Sequence, residues 1–280
     1  MTSIDSRVWL ITGSSSGFGL ALAQAALERG DRVVATARDI SALDELVAQA
    51  SDGAVHRVRL DVTDPQQRAA AIAAAVDRFG RLDVLVNSAG FGSVGAVEEI
   101  EEGPFRALME TMFFGAFALT QAALPVMRRQ GSGAIVQISS MGGQITAPGF
   151  GAYCAAKFAL EAVSECLAAE VAPHGIQVLI VEPGAFRTAF GGAAMERSPE
   201  LGDVYAATAG PTRRMIDEMD GTQPGDPDRA AATILRALDA DDAPLHLALG
   251  DDAVDAIRVA QDARRSDLDA WEAVSRATAG

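Results

Sequence analysis

Seven short apolar runs, at 8–12, 32–36, 55–60, 84–87, 134–139, 177–182 and 245–249, recur along this chain with helical stretches between them. That alternation constrains the fold more than any single residue, because strands joined through helices form a parallel sheet. The helical stretches include 19–29, 65–79 with an alanine-dense face, 104–129, 151–172 and 227–238. Right-handed crossovers then give an α/β chain with a doubly wound, seven-stranded parallel Rossmann sheet and helices on both faces. At 280 residues, one domain spanning 1–280 is the default for such a fold. Hydrophobic residues make up 49% and aromatics only 5%, which predicts a core of closely packed Ala, Val and Leu.

Two segments break the rhythm. Residues 189–225 are rich in Gly, Pro, Met and charge, and about 35 residues is long for an idle connection, so they are expected to form a mobile substrate lid. Residues 251–280 read as an amphipathic helical tail, with Val254, Ile257, Leu268 and Trp271 spaced to bury one face against the body.

The net charge of −15 disfavours nucleic acid and anionic membrane surfaces as partners. No basic, apolar leader opens the sequence around Asp5 and Arg7, and no unbroken apolar stretch reaches ~18 residues, so a cytoplasmic location is expected. Cys154 and Cys166 lie about 18 Å apart along one helix, too far for a disulfide. His56, His174 and His246 have no partners at metal-ligand spacing in the sequence, and no metal site is expected.

The chemistry concentrates in two places. Tyr153 and Lys157 stand four apart on a helix, so both leave one face, and an ammonium beside a phenol favours the phenolate. Upstream, Thr12-Gly13-Ser14-Ser15-Ser16-Gly17-Phe18-Gly19 follows a strand and opens a helix. Gly13, Gly17 and Gly19 allow a tight turn where a pyrophosphate can approach backbone N–H groups, and the serines add hydroxyl donors. At the end of the second strand Ala37 is followed by Arg38, a pairing that suits a 2′-phosphate and favours NADP(H) over NAD(H).

With Ser140 thirteen positions before Tyr153, these residues resemble the classical short-chain dehydrogenase/reductase family, closest to its 17β-hydroxysteroid and retinol dehydrogenase-like branch. The likeness covers about residues 7 to 190. It implies that Ser140 holds a substrate carbonyl oxygen, that Tyr153 exchanges the proton, and that Lys157 tunes Tyr153 and binds the nicotinamide ribose. Cofactor contacts implied in the same way come from Gly13, Ser15, Ser16, Gly17, Phe18, Gly19, Arg38, Asp61, Val62, Asn87, Ala89, Gly90, Tyr153 and Lys157. Pro183, Gly184, Phe186 and Thr188 add the segment past the sixth strand, with Thr188 expected to orient the carboxamide. Met141, Gln144, Phe150, Phe190 and Met195 are expected to line a mostly apolar pocket for a small alcohol or ketone. The resemblance also implies a homodimer or homotetramer.

One position departs from the family pattern. Where an asparagine is expected to kink its helix and place a carbonyl for a proton-relay water, this chain has Met112. A straighter helix and slowed turnover are expected from that change. The alternative function is a dinucleotide-sensing binding protein whose catalysis has weakened at Met112.

Overall fold

The computed structural model describes residues 6–279; Asp5, and the outermost residues of the span 1–280 and of its tail, lie outside them. In chain order the strands are β1 (Val8–Ile11), β2 (Arg32–Ala37), β3 (Val55–Arg59), β4 (Val84–Asn87), β5 (Gly92–Val94), β6 (Gly133–Ile138), β7 (Ile176–Pro183), β8 (Met195–Arg197) and β9 (His246–Leu249). The helices are α1 (Gly17–Glu28), α2 (Asp44–Gln49), α3 (Pro65–Phe79), α4 (Glu102–Met109), α5 (Gly115–Gln130), α6 (Gly151–Val171), α7 (Gly210–Met219), α8 (Pro227–Leu238) and α9 (Asp251–Arg276). Seven strands form one parallel sheet in the order β3-β2-β1-β4-β6-β7-β9. The order reverses between β1 and β4, which opens a crevice at their carboxyl ends, the place where such sheets bind ligands.

Apolar side chains alternate through the sheet into two cores. Trp9, Val33, Val84 and Val136 meet α1 and α8 through Leu22 and Ile234. Leu10, Leu85 and Ile135 meet α3, α5 and α6 through Ile72, Leu119 and Leu167. The helix ends follow local chemistry. Asp64 caps α3 by accepting from the N–H groups of Gln66 and Gln67 at 2.8 and 3.1 Å, Pro65 fills the first turn, and Gly80 closes the other end at φ +80°. Asp226 and Pro227 start α8 in the same way.

Three features differ from the sequence reading. The helix expected over 104–129 is α4 and α5 joined by a π turn at Glu110–Phe114, so the axis is interrupted rather than straightened at Met112. This continuous segment is long and apolar enough by composition to cross a membrane, yet Leu108, Leu119, Ala123 and Met127 are fully buried, as in a core helix.

The segment expected to be a mobile lid is a folded flap. Its β8 pairs in parallel with β5, its α7 carries Arg213 to Glu99 at 2.9 Å, and Thr212 donates to the Pro148 carbonyl at 2.7 Å. Glu99 also accepts from the Leu201 N–H, and contacts of this kind, 64 to 114 residues apart in sequence, are invisible to local patterning.

The tail is helical; its buried apolar packing on the body comes from Ala253 and Ile257, and Arg264 reaches the Gln144 carbonyl further along. Leu268 and Trp271 are 67% and 65% exposed, which corrects the expectation that they are buried. At 1.5 Å per residue, a helix of 26 residues extends about 39 Å and outruns the face it starts on.

Candidate active site

The glycine turn sits at the crevice. Gly13 and Gly17 adopt φ of +69° and +53°, a region closed to most side chains, and a Cβ on Gly13 would stand 3.2 Å from the Ala89 backbone. A Cβ on Gly19 would lie 2.3 Å from the Gly13 carbonyl oxygen, so only glycine lets α1 start this close to β1. Thr12 ties the two loops together, its Oγ1 accepting from the N–H groups of Ser88 and Ala89 at 2.8 and 2.9 Å. Ser15 and Ser16 are exposed, and Ser16 holds the N-cap position of α1 without using its hydroxyl as a cap. Ser14 differs: it is fully buried, donates to the Ile11 carbonyl at 2.8 Å and accepts from the Thr36 N–H, so its hydroxyl is structural and offers nothing to a phosphate. This cradle, which a Cβ would fill and whose serine hydroxyls face solvent at a helix N-terminus, fits a dinucleotide pyrophosphate.

Around it stand the other expected cofactor residues. Arg38 is exposed at the end of β2, and Asp61 follows β3 close enough for Arg38 to join the Thr63 N–H and hydroxyl in holding its carboxyl below the usual range. Val62 is buried against α5, where a Cβ on Gly115 would meet it at 2.9 Å. Asn87 donates to Gln137 Oε1 at 2.9 Å and Thr120 Oγ1 at 3.1 Å, bracing β4 against β6 and α5. Gly90 is exposed beside the Met112 side chain. Past β7, Thr188 lies against Gly17, and the Phe18 and Phe186 rings are 5.1 Å apart, so the segment from Pro183 to Thr188 closes over the glycine turn. Sequence reasoning missed the residue that fixes this segment. Asp252, in the first turn of α9, accepts from the Ala185 N–H at 2.7 Å and occupies the space a Cβ on Gly184 would need.

Ser140, Tyr153 and Lys157 come together at the same carboxyl end of the sheet. Ser140 follows β6, accepts from the Gly142 N–H at 3.0 Å and is hydrogen-bonded to Tyr153. Lys157 is buried, donates to the Ile138 carbonyl at 2.8 Å and has its Nζ 5.8 Å from the centre of the Tyr153 ring. Burial pushes the Tyr153 phenol above its ordinary value, against the pull of Ser140, and burial lowers Lys157 to about 8, against the charge of Glu161. The phenolate-favouring effect expected from the sequence is therefore outweighed by desolvation in this arrangement.

The expected substrate residues separate. Phe150 and Phe190 flank Tyr153 with ring centres at 5.9 and 5.2 Å, and Met195 is buried against both phenylalanines. Met141 is half-buried in the turn after Ser140. Gln144 leaves this group: its amide donates to Glu161 and Glu182 at 3.0 and 3.2 Å, which corrects its assignment to the pocket. The same corner brings one ligand atom each of Glu161, Glu165 and His246 within 4.8 Å, an arrangement absent from the linear spacing because His246 arrives on β9. Its Nδ1 lies 2.7 Å from Glu182.

Met112 is 2% exposed, packed with Leu108, Ala152, Tyr153 and Ala156. The π turn stands without an asparagine amide, so Met112→Asn is expected to give no gain in turnover. It should instead cost about 1–3 kcal/mol of stability by burying an unpaired amide. A thermal melt and kcat on one ketone check this; a several-fold rise in kcat would contradict it.

A family model described as short chain dehydrogenase matches residues 7–198. The chain belongs to the short-chain dehydrogenase family. It is 40% identical over 273 residues to an oxidoreductase, BOA17, from Botryotinia fuckeliana, covering 98% of this chain and 99% of that protein. A short-chain dehydrogenase structure from Streptomyces avermitilis is 52% identical, superposes with a TM-score of 0.93 and covers 99% of both chains. An alcohol dehydrogenase from Thermococcus sibiricus, solved with 5-hydroxy-NADP, is 26% identical with a TM-score of 0.71 over 88% of this chain and 96% of that one. This short-chain dehydrogenase is accordingly an oxidoreductase of a family that works on small molecules with a nicotinamide dinucleotide.

Proposed function

We propose that this short-chain dehydrogenase is an NADP(H)-dependent oxidoreductase interconverting an alcohol and a carbonyl on a mostly apolar small molecule, with Tyr153 as acid/base. The observation that carries the reading is the convergence of Ser140, Tyr153 and Lys157 at the carboxyl end of the sheet that holds the glycine turn. A bound nicotinamide dinucleotide supplies or accepts the hydride. Ser140 holds the substrate oxygen by a hydrogen bond. Tyr153 delivers the proton to that oxygen, and the Lys157 ammonium stabilises the phenolate left behind. Burial keeps the proton on Tyr153, the form that acts as the acid in carbonyl reduction. Phe150 and Phe190 around the phenol support an apolar substrate. A sensor without turnover needs only the turn, so the assembled polar group weighs against that alternative.

The NADP(H) choice rests on the end of β2. Ala37 leaves room, Arg38 is exposed, and the carboxylate of Asp39 is engaged by the Ser41 N–H and hydroxyl at 3.0 and 2.8 Å, with Arg59 nearby. NADPH is expected to bind at least about tenfold tighter than NADH, worth ~1.4 kcal/mol, and Arg38→Ala should bring the two together. Calorimetric titration of both dinucleotides decides it; equal affinities, or an unchanged ratio in the variant, would contradict the assignment. The exposed Phe114 and the small Ala155 and Ala159 on neighbouring helices support a homodimer or homotetramer, and the acidic surface weighs against nucleic-acid and anionic-membrane partners.

A further inference from the structure

Lys157 is the only lysine in the sequence, and behind it lies a second ionisable cluster that the proposed chemistry leaves unused. One turn along the same face of α6, Glu161 is 2% exposed. Its Oε2 accepts from the Gln144 amide, which also reaches Glu182 Oε1 at the end of β7. His246, the first residue of edge strand β9, places Nδ1 2.7 Å from Glu182 and 3.4 Å from Glu161, and Nε2 3.6 Å from the exposed Glu165. The main chain seals the pocket: a Cβ on Gly143 would meet Glu161 Oε1 at 2.6 Å and Ser139 Oγ at 2.7 Å. From α9, Arg264 is occupied by the Gln144 carbonyl at 2.6 Å.

Resting on the reading that Lys157 serves the active site, we infer that Glu161 is a positioning residue that holds Lys157 as an ammonium, with His246 setting the charge that Glu161 carries. Two buried carboxylates side by side do not both ionise without cations near them. The groups facing this pair are Lys157 and Glu165 from α6, Ser139 from the end of β6, Gln144 from the turn after it, His246 from β9 and Arg264 from α9; Lys157 itself also faces Tyr153. His246 lies within 3.4 Å of Glu161 and 2.7 Å of Glu182, and its side chain favours the charged form of Glu161 that supports Lys157. The directions agree with the geometry: burial and Glu182 push Glu161 up to about 7, His246 opposes them, and Glu161 opposes the lowering of Lys157. The solvent side of the cluster is the His246 side chain, 35% exposed, on the sheet edge.

Because there is one lysine, protein grown with 13C-labelled lysine gives one Cε resonance whose shift reports Lys157 protonation directly. In Glu161→Gln the titration midpoint is expected to fall by about one pH unit, a tenfold loss of proton affinity. In His246→Gln, whose amide can still donate to Glu182, it should fall in the same direction by less, and Glu161→Asp should recover most of the wild-type value. A purely structural role would change the melting temperature and leave the midpoint in place. A midpoint within about 0.2 of wild type in both Gln variants, or one that rises, would overturn the inference. The readout needs neither dinucleotide nor substrate, so its failure is distinct from failure of the proposed reaction.

Discussion

Tyr153→Phe is expected to lower turnover by ~10²- to 10⁴-fold, the range spanned by a positioned general acid, while dinucleotide affinity stays within about twofold. The ring sits between Phe150 and Phe190, and a phenylalanine keeps those contacts. Ser140 still accepts from the Gly142 N–H, so its oxygen is not stranded. The change therefore removes one proton donor from a preserved pocket. Steady-state kinetics on one confirmed ketone, with calorimetry on the dinucleotide, separates the two quantities. Retained turnover would remove Tyr153 from the mechanism; loss of dinucleotide binding alongside turnover would mean that the phenol is needed to build the site.

Gly19→Ala is the second large effect. The added Cβ meets the Gly13 carbonyl oxygen at 2.3 Å, its carbon at 2.8 Å and the Thr12 oxygen at 3.1 Å, all backbone atoms that cannot swing aside. Either α1 moves away from β1 or the turn deforms, and both destroy the convergence of N–H groups on a pyrophosphate. Dinucleotide affinity should fall more than about a hundredfold, ~2.7 kcal/mol, and stability by about 1–3 kcal/mol from overpacking. Gly103 in α4 supplies the control, since a Cβ there meets nothing within 4 Å, and Gly103→Ala should stabilise by up to ~1 kcal/mol while leaving affinity unchanged. If Gly19→Ala binds NADPH like the wild type, the turn does not hold the phosphates.

The sheet was legible because several strands are short apolar runs, as at Val8–Ile11 and Val84–Asn87, and some crossover helices carry their own caps, as at Asp64 and Gly80. The site was legible where its residues are neighbours in sequence: Gly13 to Gly19, and Tyr153 with Lys157 one turn apart. It was not legible where partners are distant. Asp252 reaches Ala185 across 67 positions, His246 reaches Glu182 across 64, and Gln144 turns away from the pocket because those carboxylates draw its amide. The π turn escaped because a helix pattern of period 3.6 does not record one inserted residue, and Met112 looks like core filler whichever way the backbone winds. The tail shows the limit of amphipathicity itself: Leu268 and Trp271 do form a stripe with Ile257, but periodicity identifies a face without saying what covers it.

The central claim is hydride transfer to a carbonyl with Tyr153 supplying the proton. It is tested most directly by incubating the protein with C4-deuterated NADPH and a panel of apolar ketones and aldehydes, then locating the label in the products. The account predicts deuterium on the new carbinol carbon, a solvent-derived proton on its oxygen, and labelled product formed at least about a hundredfold more slowly with Tyr153→Phe. Tight NADPH binding with no label transferred to any member of the panel, or equal transfer by Tyr153→Phe, would contradict it.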